Sequence, residues 1–420
     1  MPIKNNPDIP LDNKQLRLYD SDGNYIRASV DETIARGHNA WKGWKCSAGV
    51  RGMYIDYDGN IWRANCFSTK LERFNRPGWK EKMKQFHFVN GDDSPRLFKE
   101  QEESLKKEFA MSGNGFRSHL SLEEGLGKQQ GYVGNIFEGL DVPDDYVVCP
   151  YSNCGCGADV ILSKARTDKD KMLLDVTQNG YAATNRTQKY TQSIQDSVAV
   201  EMNFPIPYQI LWDISRRCNY DCTYCWPSVH NNKEGFPDFD SVIATIDMMI
   251  DNWSNGEPIR WNFGGGEPTM HPQFIDIIKH LKARNQWVLV TTNGARSTKF
   301  WTEASKYINS VNMSAHFASM DQFRGNEQRF IENCKVIMQQ HDTVDDDHWL
   351  EIKLMVEPGY LDRALQLKQK IEELDMLHRN GANGRMKGIL SLVPLRGIED
   401  SSQLVGYSDN EIEYFSNQRY

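Results

Sequence analysis

The chain has 420 residues, of which 39% are hydrophobic and 25% charged; 49 basic and 57 acidic side chains give a formal charge of −8. That length can bury sizeable cores and is enough for about two domains. The acidic balance argues against a broadly basic nucleic-acid surface, no stretch is long and apolar enough to span a membrane, and no secretory leader is evident. A cytoplasmic protein whose nine cysteines stay reduced is therefore expected rather than a disulfide scaffold.

Residues 1–165 form the first expected domain, and five cysteines fall in it: Cys46, Cys66, Cys149, Cys154 and Cys156. Between the first two lies Met53-Tyr54-Ile55-Asp56-Tyr57-Asp58-Gly59-Asn60-Ile61-Trp62. Its apolar alternation broken by Asp-Gly predicts a β-hairpin. The same Asp-rich turn, and Asp20-Ser21-Asp22-Gly23, echo the opening of a calcium loop but lack its remaining ligands, so both are expected as hairpin turns. Residues 70–130 read as a polar insertion whose charges fit a solvated helical face. Tyr132-Val133-Gly134-Asn135-Ile136 then leads to the compact group Cys149 to Cys156. With disulfides disfavoured, metal ligation is the better account of these five thiols, by zinc or by an iron-sulfur cluster. Residues 166–205, rich in Thr, Gln, Asn and Asp, read as a linker.

From residue 206 to 400 the pattern alternates. Strands are predicted over 208–214, 259–263, 287–292, 310–315, 350–356 and 388–395, and helices near 239–252, 273–285, 297–306, 322–340 and 361–377. Such alternation reads as parallel βα units, and six of them make an α/β, TIM-like partial barrel, (βα)6. Residues 401–420 are left as a C-terminal tail. Ligand sites of parallel sheets lie beyond the carboxyl ends of the strands, which nominates the segments following each strand.

The first such segment is Arg217-Cys218-Asn219-Tyr220-Asp221-Cys222-Thr223-Tyr224-Cys225-Trp226. Three thiolates from one loop, without a fourth nearby, leave one corner of a cluster unclaimed by protein; closed zinc and electron-carrier sites take four ligands. A zinc loop completed by a remote ligand, or a thiol motif, is the alternative. The second strand ends in Gly264-Gly265-Gly266-Glu267-Pro268, where missing Cβ atoms let a ligand approach backbone N–H and C=O groups. His271, in the turn that follows, is expected to cap or pack. The third strand ends in Thr291-Thr292-Asn293-Gly294, the fourth in Ser314 with His316 two residues on, and Leu354-Met355-Val356 lies on the fifth. Cys334, in a helical pattern with Phe330 and Ile337, reads as a small core residue.

The CxxxCxxC spacing with Tyr224 before its last cysteine resembles the signature of the radical S-adenosylmethionine (radical SAM) enzymes, and Gly264 to Pro268 resembles their GGEP motif. The resemblance implies a [4Fe-4S] cluster on Cys218, Cys222 and Cys225 whose open iron binds S-adenosylmethionine. One electron then cleaves that molecule to methionine and a 5′-deoxyadenosyl radical, which abstracts hydrogen from substrate. It implies cofactor-binding roles for Tyr224, Gly265, Gly266, Glu267, Asn293 and Ser314, with Glu267 and the glycine backbone meeting the SAM amino group. It also implies a flavodoxin- or ferredoxin-type electron donor. Leu354 to Val356 would pack either against adenine or within the core, and His316 would either face substrate or serve the structure.

The front region in turn resembles the SPASM or twitch extension of such enzymes, in which a cysteine, a hairpin, a second cysteine, a GNI-like segment and a cysteine knot enclose an auxiliary [4Fe-4S] cluster. It departs from that pattern: six residues separate Gly59 from Cys66 where four are usual, the last group reads CxxxxCxC, and the extension precedes the barrel. Tyr407-Ser408-Asp409-Asn410-Glu411-Ile412-Glu413 resembles the connection that elsewhere leads into the extension, so either the extension is permuted to the front, which is the favoured expectation, or the C-terminus is truncated relative to such enzymes. Enzymes of this kind imply a peptide or protein side chain as substrate, with a nucleoside, sugar or other small metabolite as the alternative. The reading from another class is a non-catalytic iron-sulfur or zinc protein.

Overall fold

The computed structural model describes residues 15–23, 25–30, 33, 39–68, 131–137, 139–149, 154, 160–179, 197–202, 206, 208–222, 224–225, 235–322, 325–343, 348–374, 388–395, 404 and 406–417. The insertion at 70–130 and Cys156 lie outside them. Among the described residues no helix is long and apolar enough to cross a membrane. They divide into two compact units: one takes residues up to Leu211 together with Ile250–Ile259, the other Trp212–Met249 and the chain from Arg260 onward.

The first unit is built on antiparallel pairing. Strands β1 (Gln15–Tyr19), β2 (Tyr25–Ser29), β3 (Lys45–Cys46), β8 (Val147–Val148), β9 (Lys164–Ala165) and β10 (Ala199–Met202) make a sheet in the order β2-β1-β10-β9-β3-β8. The predicted hairpin is β4 (Gly52–Ile55) and β5 (Asn60–Trp62), with Tyr54 opposite Trp62. It continues into β6 (Tyr132–Asn135) and β7 (Gly139–Leu140).

Its turn needs no cation. The Asp56 carboxylate accepts from the amides of Asp58 and Asn60, each at 3.0 Å, and from Trp62 Nε1 at 3.0 Å. A carboxylate holding three donors in place closes the turn by itself. Gly59 has φ +79°, and a Cβ there would stand 2.6 Å from Ile136 Cγ1. The GNI-like segment therefore packs directly on the turn, which is why the tip must be glycine. Asp20 closes the β1–β2 turn in the same way, accepting from Asp22 N at 2.9 Å.

The expected linker at 166–205 is not one in its described part. It holds the helix α1 (Asp168–Asn179) and the strand β10, which pairs with β1 and β9. A reciprocal cap starts the helix: Thr167 Oγ1 accepts from Asp170 N at 3.3 Å, and Asp170 Oδ2 accepts from Thr167 N at 3.0 Å. Polar composition hid a capping pair that nucleates structure.

The second unit alternates strands and helices. The strand β11 (Tyr208–Ser215) enters it at Trp212 and is followed by β12 (Ile259–Gly265), β13 (Trp287–Thr292), β14 (Ser310–His316), β15 (Trp349–Val356) and β16 (Gly388–Pro394), hydrogen-bonded in chain order. From β12 to β16 every pair is parallel. Between them run α2 (Phe239–Met248), α3 (Phe274–Ala283), α4 (Thr298–Ala304), α5 (Phe317–Asp321), α6 (Asn326–Thr343) and α7 (Leu361–Glu372), and α8 (Asp409–Asn417) follows. The predicted helix at 322–340 is α6, which starts at Asn326 directly after the left-handed Gly325, φ +81°, while the short α5 precedes the predicted range.

Period-two alternation divides the strands into two faces. Phe263, Val290, Met313, Ala315, Leu350, Ile352 and Leu354 are all fully buried. Phe263 meets Phe274 of α3 edge to face at 5.7 Å, and Met313 Sδ accepts from Cys334 Sγ of α6 at 3.7 Å, so this is the helix-covered face. Cys334 is thus a core residue, as expected. Leu354 and Val356 belong to the core as well. The opposite face is polar. In register across it stand Thr291, Asn312 and Glu351, then Ser314, Lys353 and Ser391, then His316 and Met355. The expected segment Tyr407 to Glu413 joins α8. Tyr407 Oη accepts from Leu395 N at 2.7 Å, and Glu411 Oε1 accepts from Gly359 N at 2.8 Å, tying the helix to residues that follow β15 and β16.

Candidate active site

The three cysteines begin where β11 stops. Ser215, its last residue, accepts at its carbonyl from Gly266 N at 2.7 Å, and Arg217 O accepts from Glu267 N at 2.7 Å. The cysteine loop and the end of β12 are thus stitched backbone to backbone. This explains the glycines: a Cβ on Gly265 would lie 2.3 Å from Ser215 O, and one on Gly266 2.2 Å from Arg217 O, both inside contact distance. Gly265 also has φ +102°, a conformation only glycine adopts freely. Of the backbone donors expected to face a ligand here, the amide of Gly266 is engaged by Ser215 O.

Glu267 is buried, and its carboxylate is fully engaged. Oε1 accepts from Thr269 N at 3.1 Å, from Thr269 Oγ1 and from Thr292 Oγ1 at 2.8 Å, while Oε2 accepts from Asn293 N at 2.7 Å. Burial raises its pKa and these donors pull the other way. The side chain is a clasp between the ends of β12 and β13. Its expected contact with an amino group of a ligand would have to replace or add to that set.

Asn293 carries the link one step further. Its Nδ2 donates to Asn219 Oδ1 at 2.8 Å and lies 3.7 Å from Cys218 Sγ, while Oδ1 accepts from Ala295 N at 3.0 Å. Within the loop, Tyr220 N points at Cys218 Sγ at 3.4 Å, and Cys225 N donates to Cys222 O at 3.0 Å. Cys222 is buried, Cys218 and Cys225 half-buried. Burial pushes the Cys218 thiol up to about 12, helped by the nearby charges of Glu267 and Cys222.

The end of β14 closes over the other side. His316 stacks on Tyr224 at 5.8 Å between centroids, meets Tyr220 edge-on at 6.2 Å, and its Nδ1 hydrogen-bonds the Tyr224 hydroxyl. Burial lowers its pKa to about 4, so the ring is neutral near pH 7. Ser319 Oγ lies 3.2 Å from Cys222 Sγ. Ser314 sits half-buried on the polar face, opposite Lys353. His271 caps, accepting from Gln273 N at 3.1 Å with its Nε2 3.0 Å from Pro237 O. The structure therefore brings Cys218, Cys222, Tyr224, Gly265, Gly266, Glu267 and Asn293 into one contiguous group. Sequence reasoning passed over Ser319, and named Tyr220 and Thr292 only as members of their motifs without a role of their own. Thr292 was visible in the strand-end segment, whereas Ser319, inside a short helix, has no motif to mark it.

In the first unit, Cys46, Cys66 and Cys149 meet in one packed cluster with Ala48, Ala64, Phe67 and Leu162. Cys149 reaches it because its amide donates to Trp44 O at 2.7 Å and its carbonyl accepts from Gly43 N at 2.8 Å, extending the β3–β8 pairing. Cys154 lies in a different cluster, with Leu16, Trp41 and Val160. Among the described residues no three His, Cys, Asp or Glu side chains stand together as a formed metal cage. The fit to a metal group rests on donor chemistry: all-sulfur sets of thiols, here buried Cys46 and Cys149 with half-buried Cys66, suit zinc or iron-sulfur clusters.

A family model described as the radical SAM superfamily matches residues 212–340. Residues 212–340 are a radical SAM domain. Its superfamily consists of enzymes that use a [4Fe-4S] cluster with S-adenosylmethionine; Cys218, Cys222, Cys225, Glu267, Asn293, His316 and Ser319 fall inside the matched span, and the cysteines of the first unit fall outside it. The chain is 27% identical over 163 residues to the antilisterial bacteriocin subtilosin biosynthesis protein AlbA of Bacillus subtilis, covering 36% of this chain and 34% of that protein. It is 28% identical over 174 residues to the GTP 3′,8-cyclase of Lactiplantibacillus plantarum, covering 39% and 48%. The chain thus spans between a third and a half of these relatives' own length. Streptococcus suis SuiB overlaps 50% of this chain and 46% of its own at 15% identity and a TM-score of 0.32, too low to carry an argument.

Proposed function

We propose that this chain reductively cleaves S-adenosylmethionine at a [4Fe-4S] cluster held by Cys218, Cys222 and Cys225, and that the six βα units form a partial barrel around that site. The observation that carries the reading is the stitching of the cysteine loop to Gly266 and Glu267 and, through Asn293, to the end of β13. Three strand ends are committed to holding one loop of thiols, which supports a metal group bound by that loop. When bound, the cluster would supply the electron that splits the nucleotide into methionine and a 5′-deoxyadenosyl radical able to take hydrogen from a substrate. The chain's own part is to present the three sulfurs, to exclude water through the Tyr220, Tyr224 and His316 rings, and to offer the polar strand face as the wall of a substrate cavity.

The test is anaerobic reconstitution with iron and sulfide, followed by dithionite and S-adenosylmethionine. 5′-Deoxyadenosine is the expected product, and its absence from a chain holding a full cluster would refute the proposal. A peptide or protein side chain is the favoured substrate, supported by the cysteine, hairpin, cysteine and GNI arrangement of the first unit and by the likeness to a bacteriocin biosynthesis protein. The likeness to a GTP cyclase supports the second reading, a nucleotide or other small metabolite.

We assign the auxiliary site to Cys46, Cys66 and Cys149, completed from the Cys154–Cys156 group, with zinc as the alternative to a second cluster. Reconstituted protein should then hold roughly eight iron atoms, about four per cubane. Cys149→Ala should bring this to about four while the signal that responds to S-adenosylmethionine persists; elemental analysis and electron paramagnetic resonance report both.

A further inference from the structure

We infer that Ser319 is a positioning residue for the Cys222 sulfur, donating a hydrogen bond from its hydroxyl to that thiolate and thereby raising the reduction potential of the cluster bound there. The inference rests on the radical SAM reading above and concerns how easily the cluster accepts its electron.

Three observations support it. Ser319 Oγ and Cys222 Sγ are 3.2 Å apart, within reach of an O–H···S hydrogen bond, and both residues are buried, Ser319 at 2% exposure and Cys222 at 9%. In the free thiol either atom can donate; once the sulfur is a metal-bound thiolate only the hydroxyl has a proton to give. The donor is also fixed from outside the loop. Its helix α5 is held by Ala318 N donating to Glu357 Oε2 at 3.0 Å, by Phe317 stacking on Tyr360 at 5.9 Å, and by Arg363, which lies over the Phe317 ring at 5.4 Å and pairs with Asp321. Finally, His316 packs on Tyr220 and Tyr224, so one segment braces the loop on both sides of Cys222.

The physical consequence has a definite sign. Reduction adds negative charge to the cluster and its sulfurs, and a donor aimed at a ligand sulfur in a low-dielectric site stabilises that charge. Hydrogen bonds around metal ligands tune the metal in this way. Removing the donor favours the oxidised form.

The experiment is an anaerobic potentiometric titration of the reconstituted full chain. It follows the paramagnetic signal that changes on addition of S-adenosylmethionine. Ser319→Ala is expected to shift the midpoint to more negative potential with iron content unchanged, and Ser319→Thr, which keeps the hydroxyl, to lie close to wild type. An unchanged midpoint in Ser319→Ala, or an equal shift in Ser319→Thr, would overturn the inference. Should Ser319→Ala lose the cluster, Ser319→Cys decides: as a weaker donor it should titrate below wild type, and a midpoint equal to wild type would count against the hydroxyl. A wild-type protein showing no signal responsive to S-adenosylmethionine would instead sink the underlying functional reading.

Discussion

Cys222→Ala is expected to abolish 5′-deoxyadenosine formation and to lower reconstituted iron by about four atoms per chain, one cubane, while leaving the first unit's metal in place. The middle cysteine is the buried one of the three, and it is the one contacted from α5 through Ser319. A cluster already short of one protein ligand has no spare sulfur, so losing a second leaves two thiols to hold it. Product chromatography and iron analysis on the same sample check both halves. Retained product with reduced iron would place the reaction elsewhere. Loss of all iron would join the two sites into one, against the separation of Cys46, Cys66 and Cys149 in their own cluster.

The second large effect concerns the fold of the site. Gly265→Ala should destabilise the domain by about 2–6 kcal/mol. Roughly 1–3 of this comes from a non-glycine residue at positive φ, and about 1–3 from forcing a methyl group into occupied space, here 2.3 Å from Ser215 O. Against a domain stability on the order of 5–15 kcal/mol, that is a large share. Gly325→Ala is the control, with φ +81° but nothing within 4 Å of its Cβ. It should show the backbone cost alone. Denaturant melts of the two variants separate these contributions, and equal losses would mean that the close approach to β11 contributes nothing.

Much of the second unit was legible because its signals are local. The predicted strands 208–214, 287–292 and 310–315 differ from the observed ones by at most one residue at either end. Apolar runs separated by helical periodicity leave little choice of pairing when the connections are long. The hairpin around Asp58-Gly59 was equally plain, since its turn chemistry lies within the turn. The stretch 166–205 was misread for the opposite reason: a polar helix and a four-residue strand have no hydrophobic period of their own and depend on β1 and β9 for partners.

Residue type and spacing along the chain were sufficient to mark the thiols, the glycines and the acidic residue, because motif chemistry is a property of neighbours in sequence. What those groups touch was settled only by packing. Gly265 and Gly266 turn out to make room for a neighbouring backbone, Glu267 to be clasped by Thr269, Thr292 and Asn293, and Ser319 to reach a sulfur 97 positions away. Contacts between strand ends follow from sheet register and helix placement. Those are set by burial summed over many residues, and no short stretch of letters contains that sum.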